Sequence, residues 1–353
     1  MFKEMNYNIS GIQQIGIGVI NAREAWKWYQ VNLGMDLVIF DEEAEASLML
    51  PYTDGKPMSR HAILALNHQG GAGAEIWQHT SRTPLAMDVH LVPGAPGIHI
   101  LKMKSTDINK IYSRCLNNKI DLLSEVEKDA ANQSYFFFKD PFGNIIQMIE
   151  CADQFKKGKF ANGGIFGCTI GVSDIDKSLK LYQKILGYDQ VLIDEQAISP
   201  DFYNSKNRIR RVLITHTKDR NGPFVPLLGK SQIELVQNLD NSNLDHVFKD
   251  RLWGDLGYIH LCFDVNGMND LKDKCESLGY PFTVDSGDFD MGDAAGHFAY
   301  IEDQDGTLIE FVETYKIPIM KKIGWYLKLK NRPKDKSLPR YILLAMGLLR
   351  KKG

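Results

Sequence analysis

The sequence repeats itself over a span as long as a domain. GIGVINAREAWKWYQVNLGMDLVIFDE at 16–42 matches TIGVSDIDKSLKLYQKILGYDQVLIDE at 169–195, with Val19, Tyr29 and Gly34 each lying 153 residues before Val172, Tyr182 and Gly187. AEIWQ at 74–78 pairs with IELVQ at 233–237, and DPFGNIIQMIE at 140–150 with DQDGTLIEFVE at 303–313. Self-similarity at this spacing means one folding unit used twice, which limits the fold more than composition does. The boundaries read as domain 1 at 1–152, domain 2 at 164–315 and a tail at 316–353, with the polar ADQFKKGKFANGG as linker. A length of 353 residues fits two cores better than one.

Each copy divides again. IQQIGIGV at 12–19 alternates like a strand. Asn21 is placed to cap a helix over AREAWKWYQVNL, with Trp26, Tyr29 and Leu33 on one face, and Gly34 ends it. The strands LVIF, HAILAL and AEIWQ follow, and at residue 97 the order restarts with GIHILKM, DINKIYSRCLNN, IDLLSEV, SYFFFKD and NIIQMIE. The second copy does the same, so the chain reads as four βαβββ modules of the α+β class. The glycine-rich NHQGGAGAE at 67–75 precedes a strand, not a helix, so it is a loop and not a phosphate cradle.

The charge balance excludes some partners. Net charge is −2, with 44% apolar and 24% charged residues, which gives no bias toward nucleic acid. The distribution is uneven: residues 316–353 hold 12 of the 42 Lys and Arg and one of the 44 Asp and Glu. Two expectations arise for this tail. It folds back on the acidic body, or its apolar-basic segments, with Trp325 and Tyr326 as anchors, lie on an anionic membrane surface. Five cysteines without a CxxC pattern, and an N-terminal stretch without an apolar core, point to a reduced, cytoplasmic chain, peripheral to the inner membrane surface if the tail binds lipid. No apolar run reaches the ~20 residues of a spanning helix.

Four βαβββ modules, LGM and LGY helix ends, and DPFG and DQDG turns resemble the vicinal oxygen chelate superfamily. It includes glyoxalase I, methylmalonyl-CoA epimerase, type I extradiol dioxygenases and bleomycin and fosfomycin resistance proteins. The resemblance implies glyoxalase-like domains, in which paired modules form open cups of strands and metal ligands come from the first and last strand of each module. Carried over, module one offers Gln14 and Glu75, module two a residue near His99 and Gln147, module three Gly167 and Glu234, and module four His260 and Glu310. Strand alternation sorts these candidates. Ile15, Ile17 and Val19 pack under the helix and leave Gln14, Gly16 and Gly18 in the cup. Leu261, Phe263 and Val265 do the same and leave His260, Cys262 and Asp264. Without a bulge, His99 falls on the core side and an isoleucine takes the ligand position.

Modules one and four thus hold the whole set, Gln14, Glu75, His260 and Glu310, in the order of eukaryotic-type glyoxalase I. His99, Gln147 and Glu234 are left as relics or alternative ligands. The strand pattern leaves open whether modules pair within or across the halves, and it says nothing of the oligomeric state. Two carboxylates, an imidazole and an amide oxygen suit one divalent ion, Zn, Ni, Co, Mn or Fe, without choosing among them. The implied chemistry is lyase or isomerase work on a small substrate with vicinal oxygens, through an enediolate-like intermediate. Glu310, walled by Ile309 and Phe311, is the candidate base, and Glu75 a second acid/base or a pure ligand. Trp77, His79, Cys262 and Asp264 are candidate substrate contacts, and Gly16 and Gly18 would open the cup floor. Glutathione is disfavoured, since the arginine and asparagine that the resemblance calls for are replaced by Gly18 and His79. A metal-free binding or resistance protein is the main alternative, and an extradiol dioxygenase, which needs two histidines, a lesser one. Singly, each residue also has a structural reading: Glu310 facing solvent, Gln14 a surface amide, His260 a satisfied cup histidine.

Overall fold

A computed structural model describes residues 6–86, 91–290, 295–320 and 324–351. Module one contains β1 (Asn8–Gly18), α1 (Ala22–Leu33), β2 (Leu37–Glu45), β3 (Ser59–Leu66) and β4 (Gly73–His79). Module two contains β5 (Gly97–Ser105), α2 (Ile108–Asn117), the short β6 (Asp121–Leu122) and β7 (Glu127–Lys128), then β8 (Ser134–Lys139) and β9 (Ile145–Glu150). Module three contains β10 (Asn162–Gly171), α3 (Ile175–Lys184), β11 (Gln190–Ile198), β12 (Arg208–Thr215), α4 (Val225–Leu228) and β13 (Gln232–Asn238). Module four contains β14 (Gly257–Asn266), α5 (Met268–Ser277), β15 (Val284–Asp290), β16 (Ala295–Glu302) and β17 (Leu308–Met320), and the tail adds β18 (Trp325–Lys328) and α6 (Arg340–Ala345).

Local chemistry sets these elements. The Asn21 side chain accepts from the backbone N–H groups of Arg23 and Glu24 at the start of α1, and Gly34 closes the helix at φ 69°. Ala22, Ala25, Trp26, Tyr29 and Leu33 form its buried face. The acid that opens each repeated turn ties a half together. Tyr29 donates to Asp140 at 2.6 Å and Tyr182 to Asp303 at 3.1 Å, while each aspartate also accepts backbone N–H groups of its own turn.

The sheets do not follow the halves. One has the order β15-β16-β17-β14-β1-β4-β3-β2, the other β11-β12-β13-β10-β5-β9-β8-β6. The first module therefore pairs with the fourth through β1 and β14, and the second with the third through β5 and β10. Ile15, Leu101, Ile170 and Leu261 lie in one continuous core with residues of α1, α2, α3 and α5.

The tail packs on the body. β17 does not stop at 315, because alternation continues through buried Ile317 and Ile319, and β18 pairs with it. Leu338, Leu343, Met346 and Leu349 join the core. Opposite charge guides the contact: Lys330 meets Asp288, Lys334 meets Asp270, Arg350 meets Asp36 and Lys351 meets Asp41. Trp325, Tyr341, Leu344 and Leu348 stay exposed. No helix among the described residues is long and apolar enough to cross a membrane.

Candidate metal centre

Three strand pairings bring the candidate ligands together. Parallel β1 and β4 set Gly16 beside Glu75, parallel β14 and β17 set Cys262 beside Glu310, and antiparallel β1 and β14 set Gln14 beside Cys262 and Gly16 beside His260. Their side chains converge. His260 Nε2 lies 3.1 Å from Glu310 Oε2 and 3.4 Å from Glu75 Oε2. Gln14 Nε2 donates to the same two oxygens at 3.4 and 3.2 Å. Glu75, His260 and Glu310 are the one such group of at least three His, Cys, Asp or Glu among the described residues. All four residues are buried.

The site has unspent polar atoms. Gln14 Oε1 and both ring nitrogens of His260 lack a well-formed hydrogen bond. Buried polar groups are rarely left this way. A divalent ion among these atoms would accept the amide oxygen, one imidazole nitrogen and both carboxylates, so the donor set fits such an ion. Burial pushes the His260 imidazole down, but the carboxylates of Glu310 and Glu75 outweigh it and lift it to about 9.

Two aromatic residues outside the sequence-derived set complete the site. Trp253 stacks over His260 at an interplanar angle of 13° and packs on Trp77. Tyr300, the cross-strand partner of Glu310, sits edge-on to His260, and burial together with Glu310 and Glu75 pushes its phenol well above the usual range. The strand order of β16 and β17 could have pointed to Tyr300. Trp253 lies between β13 and β14, where no periodicity marks it.

Some expectations are corrected. Gly16 and Gly18 do not open the floor: a Cβ on Gly16 would meet the His260 ring at 2.4 Å, and one on Gly18 the Asp255 carbonyl at 1.8 Å. Ile309 and Phe311 do not wall Glu310, because alternation turns them into the common core. Trp77 lines the cup cavity with Gln14, Glu75, Tyr300 and Glu310, whereas His79, Cys262 and Asp264 do not appear in its wall. His79 lies under Gly254, and burial pushes the Asp264 carboxyl up to about 8 near Ser10.

A family model for the glyoxalase/bleomycin resistance protein/dioxygenase superfamily matches residues 11–148 and 164–311. The chain belongs to this superfamily. Among curated proteins none matches the sequence significantly. Solved structures share the fold at low identity. Glyoxalase I from Zea mays aligns with a TM-score of 0.54 at 13% identity, over 87% of this chain and 92% of that one. A candidate dioxygenase from Bacillus subtilis aligns with a TM-score of 0.55 at 16% identity, over 87% of this chain and 86% of that one.

The second cup of this superfamily member is built differently. The register gives Ile100, Lys102, Gln147 and Glu234 the places of His260, Cys262, Glu310 and Glu75. His99 does not lie flat on the core side. A bulge between the Thr169–Ile100 and Ile170–Ile98 pairs turns it so that one ring nitrogen meets the Ala95 carbonyl and the other the Tyr203 hydroxyl. With both nitrogens engaged, His99 does not join Gln147 and Glu234 as a ligand. The Lys102 ammonium instead sits 2.7 Å from Gln147 Oε1 and 2.7 Å from Glu234 Oε2. Thr169 and the Arg211 guanidinium also donate to Glu234. Burial works against the Glu234 carboxylate, yet Lys102 and Arg211 outweigh it and hold it at about 2. Ile100 and Phe137 of the same sheet belong to a separate apolar cluster against which Phe202 packs.

Proposed function

We propose that the first and fourth modules form a metal-dependent lyase or isomerase site of the glyoxalase type, acting on a small substrate with vicinal oxygens. The observation that carries this is the convergence of Gln14, Glu75, His260 and Glu310, with orphaned amide and imidazole atoms, from strands at opposite ends of the chain. A bound divalent ion would supply Lewis-acid stabilisation of charge developing on the substrate's paired oxygens. Glu310 would carry a proton between adjacent substrate carbons: it lines the cavity beside Tyr300, with His260 Nε2 3.1 Å from its Oε2. Glu75 balances it across the cluster as ligand or second acid/base. Trp253, packed on Trp77, covers one face of the His260 ring.

The extradiol reading is weaker, because the cluster contains one histidine where that chemistry uses two. A glutathione-linked substrate is also disfavoured, since the backbone over Gly18 leaves no room for a cationic side chain.

The test is stoichiometry with a proton count. Full-length protein is expected to take up one equivalent of Zn²⁺, Ni²⁺ or Mn²⁺. With its pKa raised to about 9, the His260 imidazolium contributes stability to the metal-free chain that is complete below its ordinary value of 6.5 and lost as pH rises through about 9. An incoming ion must displace that proton. Loading at pH 7.5 should therefore release about one proton per chain, and affinity should climb with pH until about 9. Calorimetry in two buffers of different ionisation enthalpy measures the release. Binding with no proton exchange would place the ion elsewhere.

Gly16 gives a second check. Gly16→Ala is expected to push the His260 ring off its carboxylates and weaken metal binding at least tenfold, with the far-UV circular dichroism spectrum retained. Unchanged affinity in that variant removes His260 from the ligand set.

A further inference from the structure

The cavity over the metal centre is large and asymmetric. Its volume is about 390 Å³, and Gln14, Glu75 and Glu310 occupy one part of its wall. Much of the remaining wall is apolar, including Leu64, Leu66, Leu227, Leu228, Ile317 and Met346. The two cationic side chains of the described wall already have partners: Arg60 pairs with Glu42 at 2.8 Å and Lys316 with Asp290 at 2.7 Å. Among the described residues of the wall, each cation is thus engaged with a carboxylate of the chain.

Two elements outside the repeated pattern help build the apolar wall. The first is the turn carrying α4. Residues 216–231 link β12 to β13, where residues 67–72 suffice between β3 and β4. This longer link crosses into the other sheet's cup. The buried Lys104 ammonium donates to the Leu228 carbonyl at 3.1 Å and pairs with Asp153 at 3.0 Å, fixing the crossing from module two. Module one makes room with glycine: a Cβ on Gly71 would lie 1.9 Å from the Leu227 carbonyl. The second element is the tail, which lies beyond the family match ending at 311. The Leu338 N–H donates to the Pro223 carbonyl at 2.9 Å, joining tail to turn. His68, itself held by Lys156, bonds the Leu343 carbonyl at 2.8 Å, one turn before Met346.

Resting on the metal reading above, we infer that the substrate carries an apolar group several carbons long on its chelating oxygens, and that the 222–229 turn and the C-terminal segment are the specificity wall that receives it. The basic tail is then part of the binding site. Its charge serves to dock it on the acidic body.

Chain-length dependence tests this. Straight-chain hydroxamates offer a vicinal oxygen pair on tails of chosen length. Binding of aceto-, butano-, hexano- and octanohydroxamate to the metal-loaded full chain is measured by calorimetry. Affinity should rise about three- to fourfold per added methylene, the increment for burying CH₂ in an apolar site. In Met346→Glu, and separately in Leu228→Trp, the ratio of octano- to acetohydroxamate affinity should collapse toward one. Two variants on different elements guard against one failing to fold. Ethanol, butanol, hexanol and octanol with the metal-free chain form a parallel series, since the apolar wall needs no ion. If alcohols show the increment and the protein takes up no metal, the metal reading fails and the wall assignment stands. If metal loads but neither series gains with length, the wall assignment is overturned.

Discussion

Replacing Glu310 with glutamine is expected to abolish the divalent-ion uptake proposed for the outer cup. The change keeps shape but turns one acceptor oxygen into a donor and removes one of the two charges that face His260. The neutral amide is a weaker ligand for a hard cation, and the site already has one amide in Gln14. Loss of a supporting residue around a metal typically costs 10–100-fold in affinity, so loss of a direct carboxylate should cost at least about 100-fold. The metal content of purified protein, measured by elemental analysis, should fall from about one equivalent to near zero. The fold should survive, because Ile309 and Phe311 on the same strand remain in the core. A natural comparison lies in the middle cup, where Gln147 holds the equivalent place and an ammonium stands beside it. If Glu310→Gln retains its metal, the four residues are not the ligands and the proposed chemistry has no centre.

The second large effect belongs to Lys102. Lys102→Met is expected to destabilise the protein by about 3–5 kcal/mol, the cost of breaking a buried ion pair from one side. Lys102 is 2% exposed and Glu234 6% exposed, so water does not replace the lost partner. Arg211 still reaches Glu234 Oε1, but Oε2 keeps only the Thr169 hydroxyl and Gln147 Oε1 loses its donor. Lys102→Met/Glu234→Gln removes the uncompensated charge and should recover part of the loss. Urea unfolding with both variants measures this. A Lys102→Met variant as stable as the parent would show that the ammonium is not what holds the middle cup. The outer cup gathers two carboxylates around one imidazole, whereas the middle cup matches its carboxylate with a cation belonging to the chain.

Much of the site was legible residue by residue. The alternation of β1 and β14 put Ile15, Ile17, Leu261 and Phe263 under the helices, where they lie, and left Gln14 and His260 on the opposite face with Cys262 and Asp264, which do not line the cavity. The same argument put an isoleucine, Ile98 or Ile100, in the ligand place of module two, and the register makes it Ile100. It did not foresee the bulge at His99, since an extra residue in one strand leaves no mark in a hydrophobic pattern. It also did not foresee that Gly16 and Gly18 make room for a ring and a carbonyl. Which neighbour fills the space over a glycine depends on segments far away in sequence. Trp253 was missed for the same reason.

The amino-acid sequence by itself determined four modules, the caps of the first helix, the buried faces of β1 and β14 and which modules carry ligand-type residues, because these follow from periods of two and 3.6 and from local hydrogen bonds. Tertiary structure alone decided which modules meet. The first strands pair β1 with β14 and β5 with β10, across the halves, a choice that the hydrophobic alternation within each strand does not encode. The choice rests on contacts between distant segments, such as Lys104 with Leu228 and Leu338 with Pro223. Those contacts also place the two ends of the chain around one cup.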